Sequence, residues 1–237
     1  MRDRVLTFDC YGTLIDWESG IAGAFATAAA RAGRPAPPRD ALLEAYAAAE
    51  AEVEAGPWRP YREVLAAAAA RAAQTLGWSL DDARSGFLAE SLPSWAPFPD
   101  TNPALERLAR RFRLGILSNV DEDLLAATRR HLPVEWDPVV TAEAVRSYKP
   151  AHAHWVEARR RLGPAAREWT HVAASHYHDV TPAVELGLPV VWVNRTGRTL
   201  DAAAPRPDHE VRSLAEAADL LLDRDRLDPR TRALEGR

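Results

Sequence analysis

The chain has 237 residues, enough for one large domain or two small ones, and 47% of them are hydrophobic. Its net charge is −4, and acids and arginines are interspersed along the sequence, which argues against the clustered basic surface of a nucleic-acid-binding protein. A single cysteine, Cys10, excludes an internal disulfide bond and is typical of a reducing compartment. With no visible signal peptide and no membrane-spanning apolar run, we expect a cytoplasmic protein without membrane or nucleic-acid partners.

The first predicted element is a short buried strand over residues 5–8, which ends on the carboxylate of Asp9. A turn follows, with Gly12 inside it and Thr13 after it. Open α/β sheets place their reactive groups at the C-terminal edge of the strands. Asp9 is therefore the first candidate for a catalytic residue.

The next segment is rich in alanine and has the patterning of helices with charged faces. Glycine and proline clusters separate the helices. Consecutive helices without a strand indicate a separate helical domain, inserted after the first strand. The predicted helices span about residues 17–32, 40–55, 61–76 and 80–90, and the inserted domain spans residues 16–93.

From residue 94 onward, helical and strand patterns alternate, which predicts right-handed βαβ units and a parallel sheet. Residues 1–15 and 94–237 thus form the predicted α/β core. We expect a mobile tail after about residue 222, where the sequence is polar and rich in arginine. The predicted strands are 113–117, 138–141, 170–174 and a final strand at 189–193, and the predicted helices are 101–111, 121–130, 152–162 and 181–186.

Side chains suited to nucleophilic chemistry follow the predicted strands in the order carboxylate, hydroxyl, lysine, carboxylate. They are Asp9, Ser118, Lys149 and Asp179. Because the C-terminal ends of parallel strands meet at one edge of a sheet, these four residues are expected to converge. Lys149 is the only lysine of the sequence, and a compact ammonium can approach a small anionic site more closely than a guanidinium.

The segments around these residues resemble the four motifs of the haloacid dehalogenase superfamily, across nearly the whole chain. They read FDCYGTL at 8–14, LSN at 117–119, YKP at 148–150 and SHYHD at 175–179. The resemblance implies a Rossmann-like core with an inserted α-helical cap, and it implies a homodimer.

Two positions separate the branches of this superfamily. The phosphatases carry a second aspartate two residues after the nucleophile and a magnesium-binding acid early in the fourth motif, where this chain has Tyr11 and Ala174. Magnesium needs oxygen ligands, usually carboxylates. The chain therefore resembles the 2-haloacid dehalogenases, which use no metal or other cofactor. A magnesium-dependent phosphatase acting on a small phosphoester and a non-catalytic binding protein of the same fold are the alternatives.

The resemblance implies a role for each motif. Asp9 attacks C2 of a small 2-haloalkanoic acid, and water hydrolyses the resulting ester to a 2-hydroxy acid. Lys149 holds the Asp9 carboxylate, while Thr13 and Asn119 support the loop. Ser118 and the backbone near Tyr11 bind the substrate carboxylate. Asp179, held by Lys149 and Ser175, positions the water.

The predicted cap departs from the family at the arginine that assists halide departure, since Glu44 takes its place. Arg59 or Arg62 would replace that arginine, and Trp58 and Tyr61 would form an apolar wall of the pocket. In the fourth motif, histidines replace the family's asparagine and the aromatic residue before the acid; these are His176 and His178.

Overall fold

The computed structural model describes residues 4–78 and 86–227 of the chain. The strands within these ranges are β1 (Val5–Phe8), β2 (Arg113–Ser118), β3 (Val139–Thr141), β4 (Trp169–Ala173), β5 (Val190–Val193) and β6 (His209–Val211). They form one parallel sheet in the order β3-β2-β1-β4-β5-β6. The prediction of an α/β fold with a parallel sheet is therefore confirmed.

Strand β1 lies at the centre of the sheet, between β2 and β4, and is buried along its whole length. A strand covered on both faces needs a continuous run of buried residues rather than an alternating pattern, as this one has. Its last residue, Phe8, pairs with Ile116 of β2 and Val172 of β4. Asp9 therefore leaves the sheet at the middle of its C-terminal edge.

From β2 to β5, α-helices lie between successive strands, as predicted, whereas β6 follows β5 without an intervening helix in the described chain. In the described ranges the α-helices are α1 (Trp17–Arg31), α2 (Arg39–Glu54), α3 (Tyr61–Thr75), α4 (Phe87–Ser91), α5 (Thr101–Ala109), α6 (Glu122–Thr128), α7 (Ala142–Val145), α8 (Ala153–Leu162), α9 (Thr181–Glu185) and α10 (Leu214–Leu227). None of them is long and apolar enough to cross a membrane.

The C-terminal part of the sheet differs from the prediction. The strand at 190–193 is not the final one, because β6 pairs with it in parallel through His209 to Val211. Helix α10 then continues to Leu227, so residues 223–227 are helical rather than part of a tail. The remaining residues of the predicted tail lie outside the described ranges. Only three residues long and partly exposed, β6 has no apolar run that would predict it.

The helices α1 to α4 precede β2 in the chain and form the predicted cap. Helix α2 packs along α3, whose fully buried face consists mainly of alanines that let the two backbones approach. Phe25 of α1 makes edge-to-face contacts with Trp78 and Phe87 at centroid distances of 6.0 and 5.0 Å. The exact division into a cap at 16–93 and a core stays a prediction, and most of the predicted helix at 80–90 lies outside the described residues.

A buried aspartate of the core anchors the cap. The carboxylate of Asp121, which follows β2, accepts hydrogen bonds from the backbone N–H groups of Tyr61 (2.6 Å) and Arg62 (3.0 Å). These groups belong to the first turn of α3, where the N-cap residue Pro60 provides no side-chain acceptor. Asp121 thus caps a helix of the cap from the core side.

We expect Asp121→Ala to lower the free energy of unfolding by about 1–3 kcal/mol, because it leaves buried N–H donors without an acceptor. Asp123 also binds Arg62, but at the surface. Asp123→Ala should therefore cost less than about 1 kcal/mol. Urea denaturation of both variants measures the difference, and equal losses would contradict this anchoring role.

Candidate active site

The carboxylate of Asp9 is held by two neighbouring side chains at the C-terminal edge of the sheet. Thr13 Oγ1 donates to Asp9 Oδ2 at 2.7 Å, and Lys149 Nζ donates to Oδ1 at 2.9 Å. The turn between Asp9 and Thr13 includes Gly12 at φ +94°, a conformation that side chains disfavour. Burial raises the pKa of Asp9, and the ammonium of Lys149 opposes this rise.

All the hydrogen-bond donors of the Lys149 ammonium have partners within the site. The ammonium has three N–H groups, and they bind Asp9, the Asp179 carboxylate at 2.6 Å and the Leu117 carbonyl at 3.0 Å. Burial alone would lower the pKa of Lys149, but the two carboxylates outweigh it and raise the pKa above its usual value. Asn119 fixes the lysine backbone, because its side-chain amide accepts from Lys149 N–H and donates to Lys149 C=O.

Asp179 is the more strongly ionised of the two buried carboxylates. Burial works against its charge, yet Lys149 and His171 hold the pKa of Asp179 at about 2. His171 Nε2 lies 3.0 Å from Asp179 Oδ1, and its Nδ1 lies 2.8 Å from Thr7 Oγ1. Trp169 Nε1 donates to the same hydroxyl at 2.7 Å, which extends the network below the sheet edge. The other carboxylate oxygen, Asp179 Oδ2, is buried and has no partner among the described residues.

The predicted contact between Ser175 and the Asp179 side chain is wrong. One turn of π-helix, His176–Val180, directs the buried Asp179 toward β4, where His171 is its partner. Ser175 Oγ instead accepts a hydrogen bond from the backbone N–H of His178. The same oxygen lies 3.1 Å from Nδ1 of the His178 imidazole. Ser175 therefore shapes the turn, although it still faces the pocket.

A pocket of about 510 Å³ lies above Asp9, between the core and the cap. Ser118 lies on its floor, 1% exposed, and its Oγ has no hydrogen-bond partner within the described residues. Tyr11 lines the wall with its hydroxyl 2.8 Å from Thr128 Oγ1. The pocket brings together most of the predicted site residues: Asp9, Tyr11, Tyr61, Ser118, Asn119, Lys149, Ser175, His176 and Asp179.

Two of the predicted residues are held by further hydrogen bonds. Thr13 lies behind Asp9, where its hydroxyl also accepts from Ala174 N–H at 2.9 Å. His176 faces the pocket, but its Nε2 is engaged with the Pro205 carbonyl at 2.8 Å. In Trp192, the indole ring packs edge-on against the His176 imidazole at 5.5 Å, so that imidazole is fixed in one orientation.

The predicted pocket positions of Arg59 and Trp58 are wrong. The guanidinium carbon of Arg146 lies 4.4 Å from the ring centroid of Trp58, so the two side chains pack together. Arg59 contributes its carbonyl to the Tyr148 hydroxyl at 2.8 Å, and neither residue lines the pocket. Both precede α3, and the docking of α3 onto Asp121 turns this segment toward Tyr148 rather than toward Asp9. Arg62 is bound to Asp121 and Asp123, and Glu44 is exposed on α2.

Sequence reasoning missed a polar cluster on the cap. Glu50 Oε1 accepts hydrogen bonds from Tyr46 (3.0 Å) and Tyr61 (2.8 Å). Glu54 lies one turn further along α2, with its Oε2 3.6 Å from His178 Nε2. Burial raises the pKa of both glutamates, and burial together with Glu50 raises the pKa of Glu54 to about 9. Residues 46, 50 and 54 are spaced by four, which places them on one face of a helix. This spacing is the sequence feature from which the cluster could have been predicted.

Comparison with known proteins agrees with this fold. Residues 4–187 match the family of haloacid dehalogenase-like hydrolases. The chain is 32% identical over 151 residues to the (S)-2-haloacid dehalogenase H-109 of Pseudomonas putida, a match that covers 62% of this chain and 67% of that protein.

Solved structures give longer matches. The crystal structure of the L-2-haloacid dehalogenase RSc1362 superposes with a TM-score of 0.80 at 25% identity, covering 92% of this chain and 98% of the other. The L-2-haloacid dehalogenase from Xanthobacter autotrophicus with chloropropionic acid covalently bound has the same fold, with a TM-score of 0.79 at 22% identity over 92% of this chain and 98% of that one. The chain belongs to the haloacid dehalogenase-like hydrolases.

Proposed function

We propose that this protein hydrolyses the carbon–halogen bond of 2-haloalkanoic acids through an ester on Asp9, without a metal ion. The observation that carries the proposal is the arrangement around Asp9, a carboxylate held by Lys149 and Thr13 on the floor of a pocket and flanked by a second carboxylate, Asp179. Relatives named as dehalogenases of such acids support this choice of substrate class.

In the first step, Asp9 acts as the nucleophile. The hydrogen bonds from Thr13 and Lys149 fix the carboxylate plane, so one oxygen can attack C2 in line with the carbon–halogen bond. An ester C–O bond forms, and the halogen leaves with the bonding electrons as halide. The Ser118 hydroxyl, buried and without a partner in the described chain, is placed to donate to the substrate carboxylate.

In the second step, water hydrolyses the ester at the Asp9 carbonyl carbon. Asp179 is the candidate for positioning this water, because its Oδ2 accepts no hydrogen bond from the described residues while Oδ1 is bound by Lys149 and His171. Release of the 2-hydroxy acid restores the Asp9 carboxylate. Lys149 compensates the negative charge in both steps.

The residues around Asp9 do not fit the magnesium ion of the related phosphatases. Both Asp9 oxygens are already bound, by Lys149 and Thr13, and Asp179 shares the same lysine. Position 11 has a phenol bonded to Thr128, and position 174 is an alanine that enters the network through its backbone N–H. A magnesium site needs carboxylate oxygens at such positions.

The test is halide release from chloroacetate, bromoacetate, fluoroacetate and both enantiomers of 2-chloropropionate, measured with magnesium and with EDTA. We expect release from at least one acid at a rate that EDTA does not change. Hydrolysis of an aryl phosphate that EDTA abolishes would favour the phosphatase instead. Absence of both activities would favour a binding protein of this fold.

A further inference from the structure

The side of the pocket formed by the cap is acidic. Glu50 and Glu54, here called the roof pair, both line the pocket from α2. Two buried tyrosine hydroxyls donate to Glu50, an arrangement that stabilises its carboxylate form. The Glu54 side chain is only 9% exposed and makes no hydrogen bond within the described residues.

No lysine or arginine in the described ranges forms an ion pair with the roof pair, although the charge of Lys149 acts to lower the pKa of Glu54. The three N–H groups of Lys149 are used by the core, as shown above. His178 is the residue nearest to Glu54, but burial lowers its imidazole pKa, which favours the neutral form.

Two arginines also line the pocket, Arg195 and Arg198. Arg195 is bound to Asp100 and to the Thr13 carbonyl. Arg198 is exposed. Without a cationic partner, burial favours the neutral form of a carboxyl group, and a bound cation would favour the ionised form.

The floor of the pocket gives a second, independent indication of a ligand. Ser118 Oγ is almost fully buried, faces the pocket and lacks a partner among the described residues, so it can donate to a carboxylate next to Asp9. The pocket volume of about 510 Å³ falls in the range that holds ligands much larger than a two-carbon or three-carbon acid. The space between floor and roof is thus suited to a longer substrate.

We propose that the substrate is a 2-haloalkanoic acid with a protonated amine further along its chain, and that this ammonium binds to Glu50 and Glu54. The inference rests on the proposed function, because the carboxylate and C2 occupy the floor beside Ser118 and Asp9. The amine supplies the positive charge that the roof lacks and donates hydrogen bonds to Glu54.

The protonation of the roof pair follows from its neighbours. The titratable groups near Glu54 are Tyr46 and Glu50 on α2, Tyr61 on α3, Tyr148 and Lys149 of the third motif and His178 of the π-helical turn. With a pKa of about 9, Glu54 holds a proton at pH 7 when no cation is bound. An ammonium beside it favours the carboxylate, so binding should release a proton.

The binding test uses hydroxy acids, which resemble the product and carry no halogen. Titration calorimetry at pH 7 compares 4-amino-2-hydroxybutanoate, 5-amino-2-hydroxypentanoate and 6-amino-2-hydroxyhexanoate with their methyl isosteres 2-hydroxypentanoate, 2-hydroxyhexanoate and 2-hydroxyheptanoate. At one length or more, we expect the amine to bind at least about tenfold more tightly than its isostere. Its binding heat should depend on the ionisation enthalpy of the buffer, as proton release requires.

Glu54→Gln keeps the shape of the side chain and should weaken the preference, since only Glu50 remains, and it should remove the proton release. Glu52→Gln is the matched control, since Glu52 lies on the same helix and pairs with Arg71 at the surface. Equal or undetectable binding of amines and isosteres at all three lengths would overturn the inference, as would a preference that is undiminished in Glu54→Gln. Circular dichroism verifies folding, and the comparison on the wild type stands without the variants.

The two proposals fail separately. If no halide is released from any acid but the amines are preferred, the dehalogenase proposal fails and the roof site remains. If halide is released but 4-amino-2-chlorobutanoate, 5-amino-2-chloropentanoate and 6-amino-2-chlorohexanoate have the same kcat/KM as 2-chloropentanoate, 2-chlorohexanoate and 2-chloroheptanoate, respectively, the dehalogenase proposal remains and the inference is overturned.

Discussion

Asp9→Asn is expected to lower kcat for halide release by at least about 10⁴-fold, because an amide cannot form the ester and loss of a nucleophile removes most of the catalysis. The variant keeps the shape of the side chain, and its amide oxygen can still accept from Lys149 or Thr13. Asp40→Asn, the same change at an exposed position in the first turn of α2, is the control and should retain activity. Halide assays on the purified variants measure both effects.

Isotope labelling tests the same residue without a variant. In a single turnover in H₂¹⁸O, the labelled oxygen should enter the peptide containing Asp9, because water attacks the carbonyl carbon of the ester. The first 2-hydroxy acid should carry the unlabelled oxygen of the enzyme. Mass spectrometry of peptide and product checks the result, and label in the first product alone would contradict the ester on Asp9.

Lys149→Met is expected to abolish activity and to lower the free energy of unfolding by about 3–5 kcal/mol, since it leaves two buried carboxylates without their cation. The double variant Lys149→Met/Asp179→Asn should recover part of this free energy of unfolding, because it removes one of the two buried charges that lack a cation. Activity should not return in the double variant. Urea denaturation and halide assays separate the two effects, and a double variant no more stable than Lys149→Met would contradict this account.

The pH dependence of the lysine variant has a defined sign. In the wild type, the ionised form of Asp179 stabilises the fold above its ordinary pKa of 3.8, and this contribution is lost as the pH falls toward about 2. Without Lys149, the folded state raises the carboxylate pKa values and binds protons more readily than the unfolded chain. The stability deficit of Lys149→Met should therefore shrink between pH 7.5 and pH 5, as parallel denaturation curves can measure.

The convergence of Asp9, Ser118, Lys149 and Asp179 could be predicted because each follows a strand of a parallel sheet, and such strands end together. That argument needs only strand order and the general geometry of the fold. Lys149 was predicted as one partner of Asp179, but the second partner, His171, could not be predicted in this way. The orientation of the Asp179 side chain depends on a π-helical turn, and the sequence pattern of that turn does not distinguish contact with Ser175 from contact with His171.

The cap was harder to predict because its helices could be recognised but not oriented. Helix α2 carries Glu44, Glu50, Glu52 and Glu54 among alanines. The spacing of four groups Glu50 with Glu54, but it does not say whether their face is turned toward the core or toward solvent. The packing of α2 on α3 and the capping of α3 by Asp121 decide this. These contacts turn Glu50 and Glu54 inward, and the same docking removes Trp58 and Arg59 from the pocket.

The hydrogen bond between Ala174 N–H and Thr13 has an evolutionary consequence. Because residue 174 joins the hydrogen-bond network around Asp9 only through its main chain, its side chain can change by single substitutions without breaking the contact between Thr13 and Asp9. Divergence at this position is thus uncoupled from preservation of the Asp9 network. A protein of this fold can therefore change the side chain at position 174 while the contact between Thr13 and Asp9 stays the same.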